Sequence, residues 1–123
     1  MDSLKLLSEI NKQAEKNNRI IDCLLEFHIA SEESKFGLNL ADADSLLKSN
    51  EFSVMKNIRI AGVMGMASFT EDESKIRNEF KSLKSIYERL KEDYFNNHSY
   101  FKEISMGMSG DYKIAVEEGA TVI

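Results

Sequence analysis

The stretch Ile104-Ser105-Met106-Gly107-Met108-Ser109-Gly110-Asp111-Tyr112 decides the fold, together with its continuation through Glu117-Glu118-Gly119 into Ala120-Thr121-Val122-Ile123. A short apolar run stops at a Ser/Gly turn, and a helical pattern starts at once. A glycine ends that pattern and a second apolar run begins. This is a strand, a helix and the start of another strand, one β/α unit. Ser109 stands where an N-cap belongs, and Gly119 where a glycine just past a helix end belongs. The unpaired N–H groups and dipole of a helix start favour an anion, so the turn is a candidate phosphate seat. Along the first run Glu103, Ser105 and Gly107 share one parity, and Ile104, Met106 and Met108 the other. The small and polar set can therefore face an open mouth while the apolar set packs on helices.

The same unit recurs toward the N-terminus. Ile76, Phe80, Leu83, Ile86, Leu90 and Tyr94 form the apolar stripe of a long helix, opened by a Thr70/Glu73 capping-box pattern. Glu71–Lys75 and Glu73–Arg77 are favourable pairs four residues apart on that helix. Before it, residues 58–64 read as a strand, and residues 41–48 and 52–55 as short helical stretches. Residues 20–29 read as a further strand. Its odd positions (Ile21, Cys23, Leu25, Phe27, Ile29) are apolar, whereas Asp22, Glu26 and His28 lie on the even face. Leu4, Leu7, Ile10 and Ala14 predict an amphipathic helix over residues 3–17. Helices alternate with strands throughout, which predicts parallel β/α units joined by right-handed crossovers. Such units close either as an open doubly wound sheet or as half of a (β/α)8 barrel, which needs about 250 residues when whole.

Composition narrows the function classes. With 123 residues and a net charge of −5, the chain has no basic footprint for nucleic acid. No apolar run approaches the ~20 residues needed to span a bilayer. Cys23 is the single cysteine, which excludes an internal disulfide framework and suits a reducing cytoplasm. Inside its apolar run it reads as a small core residue rather than a reactive thiol. The two histidines and one cysteine have no metal-ligand spacing. His98, in Asn96-Asn97-His98-Ser99, reads as a solvated loop residue, and Glu117-Glu118 as a solvated helix face.

The literal strings carry more. LLEFHIASEESKFGL, IRIAGVMGMASFTEDE, FKEISMGMSGD and GATVI resemble the fifth to eighth strands, with their loops, of the YggS-like pyridoxal phosphate homeostasis proteins. That family shares the barrel of the alanine racemase N-terminal domain. The resemblance implies parallel β/α units corresponding to the C-terminal half of a (β/α)8 TIM barrel, a single partial domain over residues 1–123. Met1-Asp2-Ser3-Leu4-Lys5 resembles the family's helix start with an initiator Met in front. The family's Schiff-base lysine, at the end of its first strand, has no counterpart here. Its Arg-Ile-Gly run in the eighth strand would follow Ile123.

The resemblance implies pyridoxal 5′-phosphate as cofactor and a role in its homeostasis rather than catalysis; with no counterpart of the Schiff-base lysine, covalent attachment is not expected. It assigns Ser105, Met106 and Gly107 to the cofactor-binding strand end, Ser105 to the phosphate. His28, where the family usually carries Asn, is a secondary candidate, as are Lys35 in the loop after that strand and Ser109. A pyridoxal phosphate-dependent racemase is the enzymatic alternative, but it needs an imine lysine. A third reading is a half-barrel that binds nothing and self-associates. Two raw sheet edges and an apolar inner face predict a homo-oligomer.

Overall fold

The computed structural model describes residues 3–29, 37–68, 70–107 and 111–122. Helix α1 (Leu4–Lys16) starts where the Ser3 side chain accepts from the Leu6 N–H, and it buries Leu7 and Ala14. Strand β1 (Ile21–Glu26) follows, then α2 (Leu40–Lys48), α3 (Asn50–Ser53), β2 (Ile58–Met64), α4 (Glu73–Asp93), β3 (Glu103–Ser105) and α5 (Tyr112–Glu117). The three strands are parallel, in the order β1-β2-β3. A fourth begins where expected. Val122 bridges Ser105 in parallel, and the Thr121 N–H donates to the Ile104 carbonyl at 2.9 Å.

The register builds rows across the sheet. Glu26, Met64 and Ser105 are neighbours in one row; Leu24, Gly62 and Glu103 form the next. The pairing shifts between Cys23 and Leu24, so that Ala61 is the extra residue of a bulge in β2. Both Ile60 and Ala61 are buried beside it. Gly62 is obligatory here, because a Cβ on it would fall onto the Glu103 carbonyl oxygen. The opposite face of the sheet packs on the helices through Leu25, Phe27, Val63, Ile104, Phe80 and Leu83. At its lower end Phe101 stacks between Tyr87 (5.0 Å) and Phe95 (4.3 Å).

Several local expectations are corrected. The cap of α4 is Asp72, whose Oδ1 accepts from the Lys75 N–H, while Thr70 Oγ1 accepts from the Asp72 N–H. A carboxylate one residue before the helix is the better acceptor for its orphan donors, so Thr70 serves one step earlier. Arg77 does not turn back to Glu73. It bridges α4 to α5 with 2.8 Å contacts to both Glu117 and Glu118, so this pair is a clamp and not a bare solvated face. Regular pairing of β1 is shorter than the apolar run. Beyond Glu26 the chain bridges Leu38, whose N–H donates to the Glu26 carbonyl, while His28 donates to the Leu38 carbonyl. That end of the sheet edge is thus covered rather than raw. Strand β3 stops at Ser105 because Gly107 adopts φ +98, a left-handed conformation that ends extension. Gly119, at φ +105, ends α5 as expected.

Candidate functional site

Parallel strands collect functional groups at their C-terminal ends, and Ser105 is the last residue of β3. Alternation holds as read from the sequence. Glu103, Ser105 and Gly107 are half-buried on one face, while Ile104 and Met106 are buried on the other. The Ser105 carbonyl accepts from the Gly65 N–H at 3.1 Å, which ties the segment leaving β2 to the end of β3. The Ser105 hydroxyl has no hydrogen-bond partner among the described residues. The hydroxyls of Ser49, Ser53, Ser68 and Thr121 are engaged, whereas the exposed Ser8, Ser45, Ser74, Ser82, Ser85 and Ser99 share the lack of a partner; Ser105 differs from these in being half-buried.

Gly107 lies at the close approach of β3 to α5. A Cβ there would stand 2.6 Å from the Ala115 Cβ, so only glycine lets the helix come this near. The N-cap residue of α5 is Asp111. Met106 is 2% exposed, and its N–H donates to the Val122 carbonyl. Its side chain belongs to the core, and it offers the mouth only backbone. His28 is exposed two residues beyond Glu26, on the same parity. Its ring has no hydrogen bond among the described residues. Lys35 and Ser109 lie outside the described residues. Ser105, Gly107 and the row of Glu26 and Met64 therefore come together at one end of the sheet.

Glu26 and Met64 were not singled out from the sequence as site residues. The signal for Glu26 was present in the polar even face of its strand, but the row that joins it to Ser105 depends on a register that a bulge resets. Another group escaped sequence reading. Glu79 is 8% exposed, and its two carboxylate oxygens accept from the Ser68 N–H (2.7 Å) and the Ser68 hydroxyl (2.6 Å). No spacing rule predicts a carboxylate turned inward beside Phe80.

The other titratable groups lie apart from this end. Asp22 and Arg59 pair at 2.8 Å near the opposite end of the same face, and the Arg59 hydrogen bond holds the Asp22 carboxyl below its usual range. Burial pushes the Cys23 thiol up, as expected of a core residue. His98 is exposed but stacks on Tyr100 with ring centroids 5.0 Å apart. Among the described residues no three His, Cys, Asp or Glu side chains form a metal-binding group, and no helix is long and apolar enough to cross a membrane.

At this strand end the Ser105 hydroxyl, which has no partner among the described residues, lies near the left-handed Gly107, and Ser105 pairs in register with Met64. The family model described as "Alanine racemase, N-terminal domain" matches residues 1–120. The pyridoxal phosphate homeostasis protein of Aquifex aeolicus is 32% identical over 124 residues, covering 100% of this chain and 52% of that protein. The human protein of the same name is 31% identical over 124 residues, covering 98% of this chain and 44% of its own length. Among solved structures, PipY of Synechococcus elongatus with PLP (pyridoxal 5′-phosphate) bound superposes with a TM-score of 0.83 at 25% identity, covering 100% of this chain and 55% of PipY. PipY without PLP gives 0.87 at 26% identity. The chain thus spans about half the length of the curated relatives it matches. Its parallel β/α units are those of this TIM-barrel family.

Proposed function

Because this chain belongs to the alanine racemase N-terminal domain family, we propose that it is a PLP-binding module with a role in PLP homeostasis and no catalytic activity of its own. It is one partial domain over residues 1–123, the C-terminal half of the barrel, and it works in the cytoplasm, where its lone cysteine stays reduced. The observation that carries the reading is the Ser105 hydroxyl, without a partner among the described residues, at the C-terminal end of a parallel strand, in a chain whose structural relative PipY was solved with PLP bound. Ser105 donates to the phosphate, and Gly107 lets the turn close against α5. Met106 contributes its main chain, and Met64 and Glu26 border the ring side. Lys35, Ser109 and His28 are secondary contacts. PLP supplies a reactive aldehyde and an electron-sink ring when bound. The Aquifex aeolicus and human relatives are named for PLP homeostasis, which favours that role over racemisation. Equilibrium dialysis against PLP tests this reading. Saturable binding that weakens in Ser105→Ala is expected, and no saturable binding by the wild-type chain refutes it.

A homo-oligomer is the second part of the proposal. Leu6 (42% exposed) and Ile20 (60%) lie on the first α/β unit, and Tyr112 (45%), Val116 (53%) and Val122 (40%) on the last. Val54 (69%) and Met66 (52%) are exposed in the middle of the chain as well, so apolar surface is spread over all the β/α units, and association would cover part of it. Light scattering at micromolar concentration is expected to give at least a dimer mass. A clean monomer contradicts this part alone.

A further inference from the structure

We infer that Glu79 is a positioning residue for the cofactor end of the sheet, acting through Ser68 and Gly65 without touching ligand; this rests on the PLP-binding reading above. A carboxylate is withdrawn from water only where partners replace its hydration. Both Glu79 oxygens are engaged by one residue, the N–H and hydroxyl of Ser68, at 2.7 and 2.6 Å. That residue is the fourth of the connection that leaves β2 beside Ser105 and runs on to the Asp72 cap of α4. At the other end, the Gly65 N–H donates to the Ser105 carbonyl at 3.1 Å. Ile29 and Leu83 side-chain atoms crowd Gly65 so closely that an added Cβ would meet them at 3.0 and 3.3 Å. The connection is therefore fixed at its first residue by β3 and at its fourth by α4. Between them Met66 is 52% exposed. Glu79 thus holds, from a helix, one end of a segment whose other end bonds the Ser105 carbonyl.

The geometry separates a hydrogen-bonding latch from a need for charge. In Glu79→Gln the amide oxygen still accepts from the Ser68 N–H, and the amide NH2 donates to the Ser68 hydroxyl oxygen. In Glu79→Leu neither bond survives. Two measurements on the full 123-residue chain test this: equilibrium dialysis against PLP, and amide hydrogen exchange of the 65–68 connection. E79L is expected to lose about tenfold in PLP affinity and to exchange faster in that connection, whereas E79Q stays near wild type in both. Leu46→Ala, a core change in α2, is expected to lower the thermal midpoint without either effect. Should E79L not fold, Ser68→Ala removes the hydroxyl half of the latch and is expected to move both readouts in the same direction by less. Unchanged affinity or unchanged exchange in E79L overturns the inference, as does an equal affinity loss in L46A. A wild-type chain that binds no PLP overturns the cofactor reading and the positioning role with it. Faster exchange in E79L would still establish the latch in that case, so the two failures are distinguishable.

Discussion

A single glycine shows how tightly the sheet constrains its residues. Gly62 sits just after the bulge in β2, and any Cβ there would collide with the Glu103 backbone rather than with a movable side chain. Relief requires β2 and β3 to part, which breaks the pairing of Val63 with Ile104 and Met64 with Ser105. Gly62→Ala is therefore expected to destabilise the fold by about 1–3 kcal/mol, measured by urea unfolding, with the loss of protection concentrated in β3. Unchanged stability would mean the bulge adapts freely. The sequence showed a glycine inside a strand but not its reason, because the collision arises from a register shift that no local pattern encodes. The parity of Ser105 against Ile104 and Met106, by contrast, was fully legible, since alternation is a property of any extended backbone.

At the scale of elements, the apolar stripes located every major helix and strand, while polar residues at element ends were harder to read. Thr70 and Glu73 fit a capping box by spacing, yet Asp72 holds the cap. The competing acceptors differ by two positions, and only the path of the preceding chain chooses between them. Glu117 and Glu118 looked solvated because their partner, Arg77, is forty residues away in sequence. A similar long-range tie joins α4 to α2. The Tyr94 hydroxyl donates to Asp44 Oδ1 at 2.8 Å, and burial together with this bond pushes the Tyr94 hydroxyl up to about 12 from 10.0. A raised value means the folded state holds the proton more tightly than the unfolded state. The stabilisation is complete below pH 10 and is lost as pH rises through about 12. Alkaline unfolding monitored by circular dichroism is expected to show this loss in the wild type and a smaller one in Tyr94→Phe. Identical alkaline profiles would remove Tyr94 from the linkage.

For the whole molecule, the described residues form three paired parallel strands and the beginning of a fourth, and the chain is matched along its full length to proteins about twice as long. The fold class was legible because alternating helix and strand leave few topologies. The choice of barrel over open sheet came from the motif strings and not from periodicity. The strand end at Ser105 and Gly107 was legible, since a strand meets a turn there, whereas the Glu79–Ser68 contact was not, because it joins a helix to a connection eleven residues away. The central claim is that the strand end around Ser105 seats a phosphate without the rest of a barrel. Equilibrium dialysis of the wild-type chain and Ser105→Ala against PLP tests it most directly. The account predicts saturable binding by the wild type and an affinity about ten- to a hundredfold lower in the variant, as expected for a hydrogen bond to a charged group. Equal binding by the two proteins, or none by either, would contradict it.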